Sequence, residues 1–369
     1  MPHAINARVG NDKFPIIIGK DLIDELNSFI SSYRRDSVFI LCDNFFQKSK
    51  DLYSLRVNNF LKEHNHHYID GGIEEKSLDS FSAIIKLLCA YQIPKDGLIV
   101  GVGGGVIGDL SAFVASTYKR GVDLVHFPTT TTAMIDSCVG GKTGLNFLEQ
   151  VNLIGSYYNP KAIFIDINFL STLRERDYYS GLCEAIKMSL TSDRKMANRL
   201  LEVSDLIELR EYESLEEIIY WSIITKLRHV ADDAQEKSIR LILNYGHTFG
   251  QSVESFYGIN QDELRHGEAV ALGIKVAAKL SLILNQNDSS EKLYKLTNDL
   301  LYKYKLPKKF SDLNTIKVPT INQLMKSLIN DKKRISKGNR FILCDQVGSG
   351  TIKIIEDKNI ISKAYMDIF

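Results

Sequence analysis

Gly97-Leu-Ile-Val-Gly-Val-Gly-Gly-Gly-Val-Ile-Gly-Asp109 decides how the first half of this chain folds. Gly97–Val102 is a short apolar, β-rich run, glycines follow at once, and Leu110–Tyr118 has the apolar spacing of a helix. Strand, glycine loop and helix in that order suit a bound pyrophosphate. Glycine lets the backbone come close, and a helix N-terminus offers N–H groups and positive partial charge. A tight strand-to-helix turn with no ligand is the plain alternative.

Reading outward, further β-rich runs occur at Ser37–Cys42, at Leu124–Phe127 (stopped by Pro128) and at Ala162–Ile165 (stopped by Asp166). Between the first two, Ser77–Tyr91 is apolar at helical spacing. Strands alternating with helices predict a parallel, doubly wound α/β sheet of Rossmann type. The acid placed at a strand end for a ribose is Asp43, which precedes the glycine loop, whereas in an ordinary dinucleotide fingerprint it follows. Asp123 has the downstream distance, but it starts its apolar run and would point away from a ribose.

Beyond about Arg174 the pattern becomes helical: Tyr178–Leu190, Leu215–Ala231, His247–Ser255, Gly267–Leu284 and Lys292–Lys303. Two domains are expected, an α/β nucleotide-binding domain over residues 1–165 and a mostly α-helical one over 166–369, with the junction between 160 and 175. A strand pair, Arg340–Cys344 and Thr351–Ile355, closes the C-terminal part.

The chain has 369 residues, 44% hydrophobic and 25% charged, enough for two cores. Its 46 basic and 45 acidic side chains leave a net charge of +1, which gives no overall field for nucleic acid or an anionic membrane. The N-terminus lacks a signal-peptide pattern and no stretch has transmembrane length, so a cytoplasmic location is expected. The five cysteines form no Cys-x-x-Cys pair and read as reduced thiols. His64, His66 and His67 cluster near a helix end, where solvated surface is the ordinary reading.

Several residues carry chemistry on their own terms. Pro128-Thr-Thr-Thr-Thr132 and Asp136-Ser-Cys-Val-Gly-Gly-Lys142-Thr-Gly place hydroxyls, glycines and a lysine after a strand, which suits an anionic ligand. Glu184 and Lys187 share a helix face at i, i+3 among apolar neighbours, so both are expected to be buried, and buried charge needs a partner. His247 and His266 each begin a helix. Two histidines and one carboxylate leave an open coordination position, the pattern of a catalytic Zn²⁺ site. Nothing local forces Glu184 near His247, and a lone histidine at a helix start is ordinarily only a cap.

GGGVIGDL, PTT…DS-x-VGGKTG-x-N, GL-x-E-x-IK, LN-x-GHTFG, HGEAVA-x-G and the late DKK and RF-x-L segments occur in this order. In order and spacing the chain resembles the 3-dehydroquinate synthase family of sugar-phosphate cyclases over nearly its whole length. The resemblance implies NAD and Zn²⁺ or Co²⁺ as cofactors, a sugar-phosphate substrate, and a homodimer. It implies Glu184, His247 and His266 as metal ligands. It places NAD against Gly104, Gly105, Val106, Ile107, Gly108 and Asp109, against Thr129 and Thr130, and against Phe169, Leu170, Ser171 and Thr172. Asp43, Gly71, Gly72 and Lys76 belong on the nucleotide's other side, with Lys142 near both ligands. Asp136, Lys142, Asn152, Lys187, Lys226, Arg240, Asn244, Lys332 and Lys333 resemble the substrate set, and Arg120 the arginine that reaches a phosphate across the dimer. The implied chemistry is transient oxidation of a ring hydroxyl, loss of phosphate by elimination, re-reduction, and an intramolecular aldol closure.

Three positions depart from the family pattern. Val151 stands where a pocket lysine is expected, Gln251 where a second histidine follows the ligand by one turn, and Ile73 where a glutamate is expected, with Glu74 beside it. These losses of charge keep a sister cyclase acting on another sugar phosphate, such as sedoheptulose 7-phosphate, in play. A related polyol dehydrogenase and a degenerate binder of NAD or sugar phosphate are the more distant readings.

Overall fold

A computed structural model describes residues 2–148, 150–258, 263–313, 317–329 and 339–369. Lys332 and Lys333, expected in the substrate set, lie outside the described residues.

The chain divides into two compact units. The first comprises residues 1–174, 215–223 and 230–235, and the second 175–214, 224–229 and 236–369. The first unit thus runs past residue 165 to Arg174 and borrows part of a later helix.

In the first unit the chain order is β1 (His3–Val9), β2 (Asp12–Gly19), α1 (Ile23–Ile30), β3 (Val38–Asp43), α2 (Phe45–Lys48), α3 (Leu52–Leu61), β4 (Asn65–Ile69) and α4 (Leu78–Ala90). Then come β5 (Leu98–Gly103), α5 (Gly105–Thr117), β6 (Asp123–Pro128), β7 (Lys142–Phe147), β8 (Gln150–Tyr157) and β9 (Ala162–Asp166). Seven strands form one sheet in the order β1-β2-β9-β6-β5-β3-β4, parallel except for the β1–β2 hairpin. β3, β5 and β9 are buried along nearly their whole length, which explains why they read as continuous apolar runs. β4 pairs with one edge of β3 and β5 with the other, so the strand order reverses there. Ligands of open α/β sheets bind outside the carboxyl ends of the strands at such a switch point.

The glycine run sits differently from the expectation that its helix starts at Leu110. α5 begins at Gly105 with Gly104 as its cap, so the last glycines form the first helical turn. None of Gly101, Gly103, Gly104, Gly105 and Gly108 has a positive φ. Their role is close approach: a Cβ on Gly101 would meet Ser111 Oγ at 2.7 Å, and one on Gly103 would meet Ile107 Cγ1 at 2.6 Å.

The second unit is mostly helical: α6 (Glu175–Ser192), α7 (Arg194–Glu202), α8 (Ser204–Glu208), part of α9 (Tyr212–Val230), α10 (His247–Tyr257), α11 (His266–Asn285), α12 (Asp288–Lys303), α13 (Ile321–Ile329) and α14 (Lys358–Tyr365). The antiparallel pair β10 (Asn339–Cys344) and β11 (Gly350–Ile355) lies where it was expected. α6 and α11 are buried on nearly every side, so these two helices form the centre of the unit. Among the described residues no helix is long and apolar enough to cross a membrane.

Candidate metal centre and nucleotide cleft

In the first unit, the switch point gathers Asp43 at the end of β3, Gly103 at the end of β5 and Gly71 after β4. A Cβ on Gly103 would lie 3.2 Å from Asp43 Cβ, and one on Gly71 would overlap the Asp43 carboxylate. The chain order that set Asp43 apart from an ordinary fingerprint is resolved by topology, because β3 and β5 are neighbours. Burial raises the pKa of Asp43 and nearby Asp70 adds to it, against the Phe45 N–H, which donates to Asp43 at 2.9 Å. Asp43, Phe45, Lys48, Ser49, Asp70 and Arg174 line a recess at this edge. Asp123 sits at the start of β6, held by the Tyr33 hydroxyl at 2.8 Å, away from the cleft as its position implied.

Lys76 is buried, and its ammonium lies 2.6 Å from Asp109 while also donating to Asn152 Oδ1. One lysine therefore joins a residue expected beside NAD to one expected beside substrate. Asn152 has a left-handed φ of 53°, and its N–H donates to Asn146 Oδ1 at 3.0 Å. Asn146 Nδ2 donates in turn to the Ile73 carbonyl at 3.2 Å, so the segment around Ile73 is tied to the same hairpin. Glu74 is exposed, and its carboxylate folds back against Gly72. Val151 is 51% exposed and contributes no charge there.

Thr129 N–H donates to the Gly103 carbonyl at 2.9 Å, and a Cβ on Gly104 would touch Thr130 Cγ2 at 3.0 Å, so both threonines adjoin the glycine run. Asp136 lies in the π-helical turn Ala133–Ser137, and Lys142 opens β7 with its side chain exposed. Val106 is half-buried and Ile107 fully buried. Phe169 and Leu170 are core residues. Phe169 packs edge-on against Phe46 and Phe127, with ring centroids 5.6 and 5.5 Å away, so of that segment only Ser171 and Thr172 have side chains reaching the surface. Arg120 is exposed on a tight turn with φ 64°.

The second unit brings Glu184, His247 and His266 together, and their ligand atoms all lie within 4.8 Å of one another. Among the described residues this is the one such group of His, Cys, Asp or Glu, so the His64, His66 and His67 cluster makes none. Glu184 Oε1 is 3.8 Å from His247 Nε2 and 3.6 Å from His266 Nε2. Those gaps are too long for hydrogen bonds. Donor atoms each about 2.1 Å from one ion at tetrahedral angles stand about 3.4 Å apart. Glu184 is 1% exposed and ion-paired with Lys187, yet neither of its oxygens accepts a well-formed hydrogen bond among the described residues. A buried carboxylate so placed, facing two imidazoles, fits a divalent cation.

Electrostatics agree. Burial opposes ionisation of Glu184, but Lys187, His247 and His266 outweigh it and hold the carboxyl well below its usual range. Desolvation opposes a charge on His266, yet Glu254 and Glu184 draw its pKa up to about 10. Each histidine is held at its other nitrogen: His247 Nδ1 lies 3.3 Å from the Tyr245 carbonyl and His266 Nδ1 2.8 Å from Glu254 Oε1. His247 directly follows Gly246, whose φ of 76° is left-handed and sets the sharp entry into α10.

Lys187, Lys226 and Arg240 are all buried in this unit. Asn244 Nδ2 donates to the Leu241 carbonyl at 3.2 Å and to Glu236 Oε1. Glu236 was missed in the sequence. Its signal was an acid one turn before Arg240, but the left-handed φ of 58° that turns it toward Asn244 is not written in the pattern. Gln251 lies one turn after His247 on α10, and its side chain is half-buried.

Residues 66–180 match the family described as 3-dehydroquinate synthase N-terminal, and residues 181–334 the one described as 3-dehydroquinate synthase C-terminal. The 3-dehydroquinate synthase of Alkaliphilus oremlandii (strain OhILAs) is 37% identical over 341 residues, covering 91% of this chain and 89% of that protein. That of Dictyoglomus thermophilum is 35% identical, covering 97% and 96%. Among solved structures, 2-deoxy-scyllo-inosose synthase complexed with carbaglucose-6-phosphate, NAD⁺ and Co²⁺ superposes with TM-score 0.82 at 24% identity over all of both chains. The 2-epi-5-epi-valiolone synthase of Streptomyces hygroscopicus subsp. jinggangensis 5008, with NAD⁺ and Zn²⁺ bound, gives 0.84 at 23% identity over 98% of each. At that identity the likeness establishes the α/β-plus-helical fold.

Proposed function

The chain belongs to the 3-dehydroquinate synthase family, and from that premise we propose that it converts 3-deoxy-D-arabino-heptulosonate 7-phosphate into 3-dehydroquinate and phosphate. The single observation that carries the reading is the convergence of Glu184, His247 and His266 on one point. Supporting it are relatives at 35–37% identity over nearly the whole chain, named 3-dehydroquinate synthase.

In this reading the first unit holds NAD and the second holds Zn²⁺ or Co²⁺ and most of the substrate contacts. When bound, NAD would take a hydride from the carbon bearing a ring hydroxyl, as the hydroxyl gives up its proton, and would later return that hydride, while the ion would polarise the oxygen concerned. The chain's own residues do the holding. The N-terminus of α5, with Gly104 and Gly105, cradles the pyrophosphate, and Asp43 accepts from the ribose hydroxyls. Arg240 offers a guanidinium fork to the substrate carboxylate, and Lys142, Lys187 and Lys226 supply positive charge around the phosphate and the developing anion. Asp136, Asn152 and Asn244 orient the ring hydroxyls. With the substrate held at both charged ends, elimination and ring closure proceed from one geometry.

We also propose that it works in the cytoplasm as a homodimer, with exposed Arg120 reaching the partner's phosphate site. The test is phosphate release with NAD and Zn²⁺ or Co²⁺ present, using the heptulosonate phosphate and sedoheptulose 7-phosphate side by side. The expected outcome is turnover of the first with no net accumulation of NADH, loss of turnover on chelation, and recovery when either ion is returned. Failure to turn over the heptulosonate phosphate overturns the reading. Turnover of the sedoheptulose phosphate alone would make Val151 and Gln251 marks of a sister cyclase.

A further inference from the structure

Glu254 follows His247 by seven residues on α10, two helical turns, so both side chains project from one face of that helix. Its Oε1 lies 2.8 Å from His266 Nδ1, and the opposite ring nitrogen of His266 faces Glu184. We propose that Glu254 is the positioning residue of the metal centre, accepting a hydrogen bond from His266 Nδ1–H and so fixing the tautomer and ring rotation that aim Nε2 at the ion. The inference rests on the metal reading above and adds to it a residue with no other assigned part in the reaction.

The two histidines differ in how firmly they are held. His247 has only 14% of its side chain exposed and its Nδ1 faces a backbone carbonyl, whereas the His266 side chain is 43% exposed at the very start of α11. A ring so open has few packing contacts to stop it turning. An imidazole that ligates an ion through Nε2 keeps its proton on Nδ1, and that N–H needs an acceptor. Glu254 supplies it. A carboxylate behind a ligating histidine also raises the basicity of the ligand nitrogen.

The reach of Glu254 depends on how closely α10 and α11 pack. A Cβ on Gly250 would lie 2.9 Å from the Ala269 carbonyl oxygen, and one on Gly246 2.8 Å from the Ile274 nitrogen. Glycine at both positions lets the two helix backbones meet. Beside this contact, Arg265 donates to Asp177 at 2.7 Å and Arg176 to Glu268 at 2.6 and 2.8 Å, tying the start of α11 to the first turn of α6.

The test measures Zn²⁺ affinity of the full chain by competition with a chromophoric chelator, together with the visible spectrum of the Co²⁺-loaded protein. E254A is expected to weaken Zn²⁺ binding by roughly 10- to 100-fold. E254Q, which keeps the shape and one acceptor oxygen, should lose less and should alter the Co²⁺ band. Wild-type affinity and spectrum in E254Q and E254A overturn the inference while leaving the metal reading intact. Should E254A not fold, E254Q decides alone. If the wild-type chain takes up no Zn²⁺ and H266A behaves like it, the metal reading falls and this inference falls with it.

Discussion

The backbone N–H of Gly267 donates to the Ser180 side-chain oxygen at 3.0 Å, joining the residue after His266 to the residue one turn before Glu184. A Cβ at position 267 would overlap the Ser180 carbonyl oxygen. The contact therefore fixes how far α11 stands from α6, and with it the gap between Glu184 and His266. Two ion pairs flank it, Arg176–Glu268 and Arg265–Asp177, binding the first turns of the same two helices.

G267A is expected to push α11 away from α6, cost about 1–3 kcal/mol through overpacking, and weaken Zn²⁺ binding at least tenfold. S180A removes only the acceptor and leaves the backbones in register, at a cost of about 1 kcal/mol with affinity nearly kept. Denaturation midpoints and chelator competition separate the two. Equal Zn²⁺ affinity in G267A and wild type would show that the spacing of the helices does not set the site.

Lys76, Asp109 and Asn152 form the corresponding device in the first unit. D109A leaves a buried ammonium without its carboxylate and is expected to cost about 2–3 kcal/mol, less than a fully enclosed pair because Asp109 is 20% exposed. K76M leaves the Asp109 carboxylate without its cation, but water reaches that carboxylate at 20% exposure, so the cost should be smaller, about 1–2 kcal/mol. The double variant should therefore be more stable than D109A alone. Strict additivity of the two single effects would contradict the pairing.

The glycine run, the central strands and the helices of the second unit were legible because one residue class dominates each. β3, β5 and β9 are buried on both faces and read as unbroken apolar runs. The hairpin β7–β8 was not legible, since Val151, Leu153 and Tyr157 lie exposed and mimic a core pattern that the strand does not have. The β1–β2 hairpin did carry a signal: Ile5, Ala7 and Val9 alternate and Gly10 turns with φ 61°, but charged residues at Arg8, Asp12 and Lys13 break the apolar runs. On residue type alone the metal ligands were a conjecture, and resemblance to the family made them an assignment. Their meeting depends on three helices packing closely through Gly246, Gly250 and Gly267, and no local spacing encodes that.

His126 on β6 is buried, and burial pushes its pKa down to about 4. The neutral ring is the folded form, while the unfolded chain takes up a proton near pH 6.5. Between those values the unfolded state binds more protons, so this contribution is complete above about pH 6.5 and is lost as pH falls toward 4. The full effect is on the order of 3 kcal/mol. Asp166, pushed up to about 6 by burial, has the opposite sign, but it is present in wild type and variant alike and drops out of their difference. The stability difference between wild type and H126N, followed by denaturant titration from pH 7.5 to pH 4.5, should shift in favour of H126N as pH falls. A difference independent of pH would mean that His126 binds its proton equally well in the folded and unfolded states, contrary to the effect of burial.

Arg240 is 2% exposed in the second unit, with Asn244 one turn after it. A buried guanidinium recognises a carboxylate through two parallel hydrogen bonds, which a lysine at the same place does not reproduce. The heptulosonate phosphate carries a carboxylate and sedoheptulose 7-phosphate does not. R240K should therefore lower kcat/KM for the heptulosonate phosphate by roughly 10- to 100-fold, the worth of one charged hydrogen bond of about 1.5–3 kcal/mol. Any residual turnover of the sedoheptulose phosphate should change far less. Because the same substitution perturbs packing equally for both substrates, only a contact with the carboxylate separates their rates, and an equal loss on both would remove Arg240 from substrate recognition.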